Sequence, residues 1–362
     1  MSSPLETLWE EVRELTFGTT PQIDRLHTPP TPLHFLRHYL SQNKPFILSA
    51  SAATTLRWPA TALWSSTSYL RQTLSNSTVS LHLTPTGHAD SIATHPTSPN
   101  SLCFASAHVQ QTPFSAAIDA IQSSSIDSDG GFVAYLQQQN DCFRGEYGAL
   151  AGDCDSDVGW ATEAIGSLPE AVNLWIGNGL SETSFHKDHY ENLYAVVTGE
   201  KHFVLLPPTD VHRMYIRGYP AATYTYSQET GEFKLELENP VRHVPWCSVN
   251  PYPSPENKEK EMSEFPLYHN GPKPFEVTVK AGEILYLPSM WFHHVRQTPD
   301  PRGLTIAVNY WYDMQFDIKY AYFNFLQSLP PPPKPTSCKS RSLDDSLLNE
   351  NESDCDEKCR EE

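Results

Sequence analysis

In Thr183 to Pro208, "TSFHKDHYENLYAVVTGEKHFVLLPP", two imidazoles and a carboxylate fall within four positions: His186, Asp188 and His189. Such side chains bind divalent metal ions, and in an extended chain residues two apart share a face. On one strand His186 and Asp188 are then in phase, with Lys187 and His189 pointing the other way. A third ligand must come from elsewhere, and the candidate stretch is "AGEILYLPSMWFHHV". There Gly282, Pro288 and His293 keep a G-x5-P-x4-H spacing that reads as a turn, a strand end and an inward histidine. His186, Asp188 and His293 compose the two-histidine, one-carboxylate set that leaves coordination positions open, as non-haem Fe(II) oxygenases need. His189 and His294 are the competing ligands, each out of phase with its chosen neighbour.

Two more residues suggest an anion beside that metal. Lys201 follows the turn "TGE" and should sit deep in a hairpin, where a buried ammonium needs an anionic partner. Asn309 interrupts the apolar strand "LTIAVNYWY", and a buried amide also needs partners.

The elements that must position these groups read as short strands split by Gly and Pro turns: "NLWIG", "NLYAVV", "HFVLLP", "FEVTVK", "EILYLP", "FHHVRQ" and "LTIAVNYWY". That succession predicts a sandwich or barrel rather than βαβ units. An insert at about 210–274, carrying "NPYPSPENKEKEM", is expected to run largely over the surface. At the N-terminus Ser3, Pro4 and Glu6 announce a helix with Leu5, Leu8, Trp9, Val12 and Leu15 on one face. After the last strand, "MQFDIKYAYFNFLQSL" predicts a helix with Phe316, Tyr320, Phe323 and Leu326 on one face, either capping the barrel or forming a dimer contact. The Ser-, Thr- and Gln-rich stretch 91–128 reads as mostly loop, followed by a strand "GFVAYLQQQ". The expected organisation is an N-terminal helical and β region at 1–128, a catalytic domain at 129–329 and a disordered Pro-rich, acidic tail at 330–362.

Composition narrows the class. A formal net charge of -18 over 362 residues argues against direct nucleic-acid binding and permits attraction to cationic peptides. No apolar run is long enough for a membrane span and the start is amphipathic, so a soluble, unsecreted protein is expected, cytoplasmic and also nuclear. Seven scattered cysteines without a CxxC pair suit a reducing compartment, and Cys355 and Cys359 are read as solvated thiols.

On these motifs, with "LTPTGHAD" and "AVNYWYDMQFDIKYAYF", the sequence resembles the jumonji-C family of Fe(II)- and 2-oxoglutarate-dependent oxygenases from about Asn43 to Leu329. The nearer likeness is to the jumonji-C lysyl (3S)-hydroxylases, also described as peptidases, that act on developmentally regulated GTP-binding proteins. The resemblance implies a mainly β fold, a double-stranded β-helix (cupin or jelly-roll) core with flanking N- and C-terminal helices. It implies Fe(II) on His186, Asp188 and His293, and 2-oxoglutarate held by a salt bridge to Lys201 and hydrogen bonds from Thr183, Asn192, Tyr135 and Asn309, with O2 as second cosubstrate. The implied reaction is hydroxylation of a lysine side chain in a protein, with succinate and CO2 as co-products. Histone N-methyl-lysine demethylation is the alternative of the same chemistry. A peptidase would need a metal-bound water with a general base, and no H-E-x-x-H motif is present. A non-catalytic cupin scaffold is the remaining alternative, against which the intact ligand set and Lys201 speak.

Overall fold

The computed structural model describes residues 4–19, 21–53, 58–126 and 131–330. Its centre is eight strands: β1 (Ala171–Gly177), β2 (Glu182–His186), β3 (Tyr190–Thr198), β4 (Glu200–Leu206), β5 (Phe275–Lys280), β6 (Ile284–Leu287), β7 (Phe292–Thr298) and β8 (Thr305–Asp313). They divide between two sheets. One runs β6-β3-β8-β1, extended beyond β6 by Phe46–Leu48 and Asp24–Leu26; the other runs β5-β4-β7-β2, extended beyond β2 by His88–Ala89. Consecutive strands therefore tend to alternate between sheets, which is the winding of a double-stranded β-helix, and the mainly β cupin expectation holds.

Period-two alternation decides which side chains enter the interior. From one sheet come Trp175, Asn192, Tyr194, Asn309 and Trp311; from the other come Lys201, Phe203, His293 and Val295. Apolar side chains, among them Val196, Leu205, Val279, Leu285 and Leu287, fill one end of the interior. The other end stays open as a cavity. A second apolar cluster covers the outer face of the first sheet with N-terminal elements, including Phe35, Trp64 and Tyr147. The third lies outside the second sheet, where Phe185 and Phe292 meet Phe323 of the C-terminal helix Ile318–Ser328.

Four expectations need correction. The stretch 91–128 is not mostly loop: it contains strands Ser91–His95, Ser98–Ser106 and His108–Pro113 and the helix Phe114–Gln122. Ser101 and Gln111 are among its solvent-facing strand residues, while Phe114, Ala117, Ile118 and Ile121 recur at helical spacing and are buried. The insert lies largely at the surface, as expected, but as strands and short helices rather than loop. Its strand Arg217–Tyr226 pairs in parallel with Ser98–Ser106 and antiparallel with Phe233–Leu237 and His243–Trp246. In the N-terminal helix Pro4–Phe17, Leu5, Leu8, Trp9 and Val12 turn inward as expected, but Leu15 is exposed and the buried Arg13 adds an ion pair to Asp210. Finally, the C-terminal helix starts at Ile318, where Asp317 caps the Lys319 N–H, so Phe316 lies before it and is exposed. The expected N-cap Ser3 and the tail 331–362, with Cys338, Cys355 and Cys359, lie outside the described residues. Among the described residues no helix is long and apolar enough to cross a membrane.

Candidate active site

His186 and Asp188 do not lie on one continuous strand. β2 ends at His186, and Asp188 sits in the turn before β3. The register of β2 against β7 also shifts between Thr183 and His186. An irregularity of this kind adds a residue to one strand and reverses the phase of alternation. It explains how Thr183 and His186, three positions apart, both line the interior. Asp188 is brought back to the same place by the turn, whose carbonyl accepts the Met290 N–H at 2.9 Å.

The three predicted side chains come together. His186, Asp188 and His293 each present a ligand atom within 4.8 Å of the others, and among the described residues they form the one such group. The Asp188 Oδ2 is 3.8 Å from His186 Nε2 and 3.6 Å from His293 Nε2. Each ring is turned by its other nitrogen: His186 Nδ1 lies 2.9 Å from the Ser184 carbonyl and His293 Nδ1 3.0 Å from that of Trp291. A backbone carbonyl accepts only from N–H, so Nδ1 carries the proton and both Nε2 lone pairs face Asp188. Burial, then the nearby His186, pushes the His293 pKa down to about 4, keeping that imidazole neutral and able to ligate.

The loop before β7 is fixed by residues that sequence reasoning passed over. The buried Glu191 carboxylate accepts from Tyr286 Oη at 2.6 Å, Ser289 Oγ at 2.8 Å and Ser289 N–H at 3.2 Å. Asn43 donates to the Ser289 carbonyl at 3.0 Å, and the Trp291 indole donates back to Asn43 Oδ1 at 2.6 Å. These bonds hold Met290 in a left-handed conformation, φ 67°, and aim the Trp291 carbonyl at His293.

The metal-binding group opens on a cavity with about 680 Å³ of empty space, part of it continuous with solvent. Lys201, Thr183, Asn192, Asn309 and Tyr135 all line it. Lys201 is 2% exposed, and its ammonium donates to Tyr135 Oη at 2.9 Å. Among the described residues no carboxylate pairs with it, and burial alone pulls its pKa down to about 7. Tyr135 reaches it across Gly177, where a Cβ would come within 2.7 Å of the phenol ring. The two amides are each other's partners: Asn309 Nδ2 donates to Asn192 Oδ1 at 3.3 Å, and Asn309 Oδ1 accepts the Trp175 indole N–H at 2.8 Å.

The competing histidines lead elsewhere. His294 faces outward from β7 and bonds Glu182 at 2.8 Å. His189 is exposed on the rim beside Phe316 and Tyr320. Lys187 also points away, its ammonium 4.8 Å from the Phe323 ring centre. One wall was missed entirely. Trp246, from the insert, lies parallel to His186 with ring centres 6.1 Å apart, and no local pattern in "HVPWCSV" signals that contact.

Residues 32–318 match the family model of the cupin-like domain. Over 329 residues, 91% of this chain and 92% of the relative, it is 63% identical to "Lysine-specific demethylase JMJ32" of Arabidopsis thaliana. The chain belongs to the cupin-like jumonji-C family. This jumonji-C chain is also 37% identical over 333 residues to human "Bifunctional peptidase and (3S)-lysyl hydroxylase JMJD7", covering 90% of the chain and 96% of that protein. To "JmjC domain-containing protein E" of Dictyostelium discoideum it is 35% identical over 317 residues, 84% of the chain and 88% of the relative. As a jumonji-C protein it is a 2-oxoglutarate-dependent oxygenase using Fe(II) and O2. The residues present fit those groups: two imidazole nitrogens converge with a carboxylate, and a buried ammonium with donors to spare faces the same cavity.

Proposed function

We propose that the chain hydroxylates a lysine side chain of a target protein. In this reading His186, Asp188 and His293 hold Fe(II). Lys201 takes the far carboxylate of 2-oxoglutarate, with the Tyr135 hydroxyl beside it and Thr183, Asn192 and Asn309 on the surrounding walls. The observation that carries it is Lys201: a cation sealed into the barrel, without a counter-ion among the described residues, in the cavity that holds the metal-binding group. With cosubstrate bound, the metal supplies O2-dependent oxidation of a C–H bond, giving R–OH, succinate and CO2 from R–H, 2-oxoglutarate and O2. The protein's own work is to hold the ligand atoms, keep His293 unprotonated and present one carbon to the metal.

Lysine as the substrate side chain is supported by the Arabidopsis and human relatives, which match over nearly their whole length and whose names both specify that residue. Hydroxylation is supported by the human relative, the demethylation reading by the Arabidopsis one at 63% identity. The two differ in which carbon faces the metal. Oxidation of a side-chain carbon leaves a stable alcohol, whereas oxidation of an N-methyl carbon gives a hemiaminal that sheds formaldehyde.

The test is site-resolved mass spectrometry of lysate proteins incubated with iron-loaded enzyme, with and without 2-oxoglutarate. Lysine residues gaining one oxygen only when 2-oxoglutarate is present, and not with Asp188→Ala, is the expected result. Loss of methyl groups would transfer the conclusion to demethylation, and 2-oxoglutarate-independent chain cleavage would make it a peptidase. Oxidation confined to other residue types would sink the reading.

A further inference from the structure

Lys201 has an opposite number in the same cavity. Asp90 also lines it, and among the described residues no Lys or Arg pairs with its carboxylate. The groups acting on it are the Ser106 hydroxyl, as hydrogen-bond donor, and the imidazoles of His82 and His186. Burial dominates and pushes its carboxyl above the usual range. Glu182, close by on β2, is different: facing away from the cavity, it is matched by His294 at 2.8 Å and Arg296 at 3.4 Å.

Asp90 is also held in place. Gly87, at φ +86°, passes so close to the Leu180 carbonyl that a Cβ would lie 2.0 Å from its oxygen. That approach lets His88–Ala89 pair with Glu182 and Thr183 of β2. Asp90 itself is left-handed, φ 50°, a conformation that aspartate tolerates better than most residues. Its carbonyl accepts the Ser184 hydroxyl at 2.8 Å, and that hydroxyl accepts the Trp246 indole N–H at 2.9 Å. Ser184 thus joins three things: through its carbonyl the orientation of His186, and through its hydroxyl the positions of Asp90 and of the indole stacked on His186.

A half-buried carboxylate that faces a cavity without a cation carries a desolvation cost, and that cost is relieved when a cation arrives. We propose that Asp90 is a specificity-determining residue whose carboxylate receives the primary ammonium of the substrate side chain, with the Trp246 indole as an aromatic wall. It rests on the reading of the chain as an oxygenase of lysine and names the group that recognises the lysine. If carbon 3 of a lysine faces the metal, as the human relative's name specifies for that protein, the ammonium extends about 5 Å farther along the chain and must meet an acceptor on the cavity wall. Apart from the metal-binding group, the cavity wall then carries Lys201 for an anionic cosubstrate and Asp90 for a cationic substrate.

The experiment needs no turnover. The full chain is loaded with Mn²⁺ and 2-oxoglutarate, and paramagnetic broadening of proton NMR lines is titrated for n-butylammonium, the end of a lysine side chain, and for n-butanol, its neutral counterpart. Expected is about tenfold tighter binding of the ammonium by the wild-type protein, lost in Asp90→Asn while n-butanol and 2-oxoglutarate bind as before. Equal affinity for the two probes in the wild type overturns the proposal without any variant, and so does a preference that survives Asp90→Asn. The lysate experiment fails or succeeds separately: lysine oxidation with no ammonium preference refutes Asp90 alone, and an ammonium preference with no lysine oxidation refutes the hydroxylase reading alone.

Discussion

Lys201 and Arg213 are both buried cations, one inside the barrel and the other outside it, under the N-terminal helix. Arg213 is satisfied by the protein itself. Its guanidinium bonds Asp210 and donates to the carbonyls of Leu267, Tyr268 and Pro272, and the same Asp210 carboxylate takes two bonds from Arg13 at 3.1 and 2.7 Å. Lys201 is given a phenol oxygen at 2.9 Å and two aromatic rings beneath its ammonium, the Tyr135 and Tyr194 ring centres lying 5.3 and 5.9 Å away. A buried charge whose donors are filled from within fastens elements together. One with donors left over marks a place for something that is not protein.

The comparison breaks if the two sites respond alike to mutation. Asp210→Ala should have the largest effect, since it strands two guanidiniums: about 3–5 kcal/mol of stability, read from the urea midpoint, with the 2-oxoglutarate affinity of the folded fraction unchanged. Lys201→Met should do the reverse. It should weaken 2-oxoglutarate binding by about 2–3 kcal/mol, up to roughly a hundredfold, with metal affinity kept and stability equal or up to about 1 kcal/mol higher. A Lys201→Met protein that unfolds like the Asp210 variant, or binds the cosubstrate normally, would erase the distinction.

A pH titration sharpens it with a smaller effect. The ligand-free Lys201 loses its proton through about pH 7, against an ordinary value of 10.5. A dianion needs the ammonium, so above pH 7 its binding takes up a proton and its affinity falls by up to about tenfold per pH unit. Calorimetry at pH 8 in two buffers of different ionisation enthalpy measures that uptake, and a value of zero would contradict the assignment. Between pH 7 and 10.5 the unfolded chain holds the proton that the folded one lacks, so stability of the ligand-free protein should rise with pH over that window.

Much of this was legible in the sequence because it is local. The strands β1 and β3 to β8 follow runs whose alternation survives inspection of a few residues, and the spacing from Gly282 to His293 separates that histidine from His294. Asp188 was associated with the right partner through an incorrect picture, since strict alternation was carried through a turn and past a bulge that no residue type announces. The strands hidden in 91–128 were lost because Ser, Thr and Gln say polar before they say extended, and one of them, Ser98–Ser106, also pairs with a strand of the distant insert. Asp90 and Trp246 could not be singled out from composition. They meet at Ser184 across three distant segments, and only the folded chain puts Asp90 in "LTPTGHAD" beside His186.

The loop carrying the Trp291 carbonyl has a temporal meaning as well. Asn43, which grips it, leaves the ribosome early, Asp188 and His186 much later, and the loop with His293 later still. Chains are made from the N-terminus, and contacts this far apart in sequence form late. A nascent chain halted before His293 carries two of the three ligand side chains and an amide without its loop. His293 is thus the last of the three ligands to be made, and the group is complete only once its loop has been synthesised and gripped by Asn43.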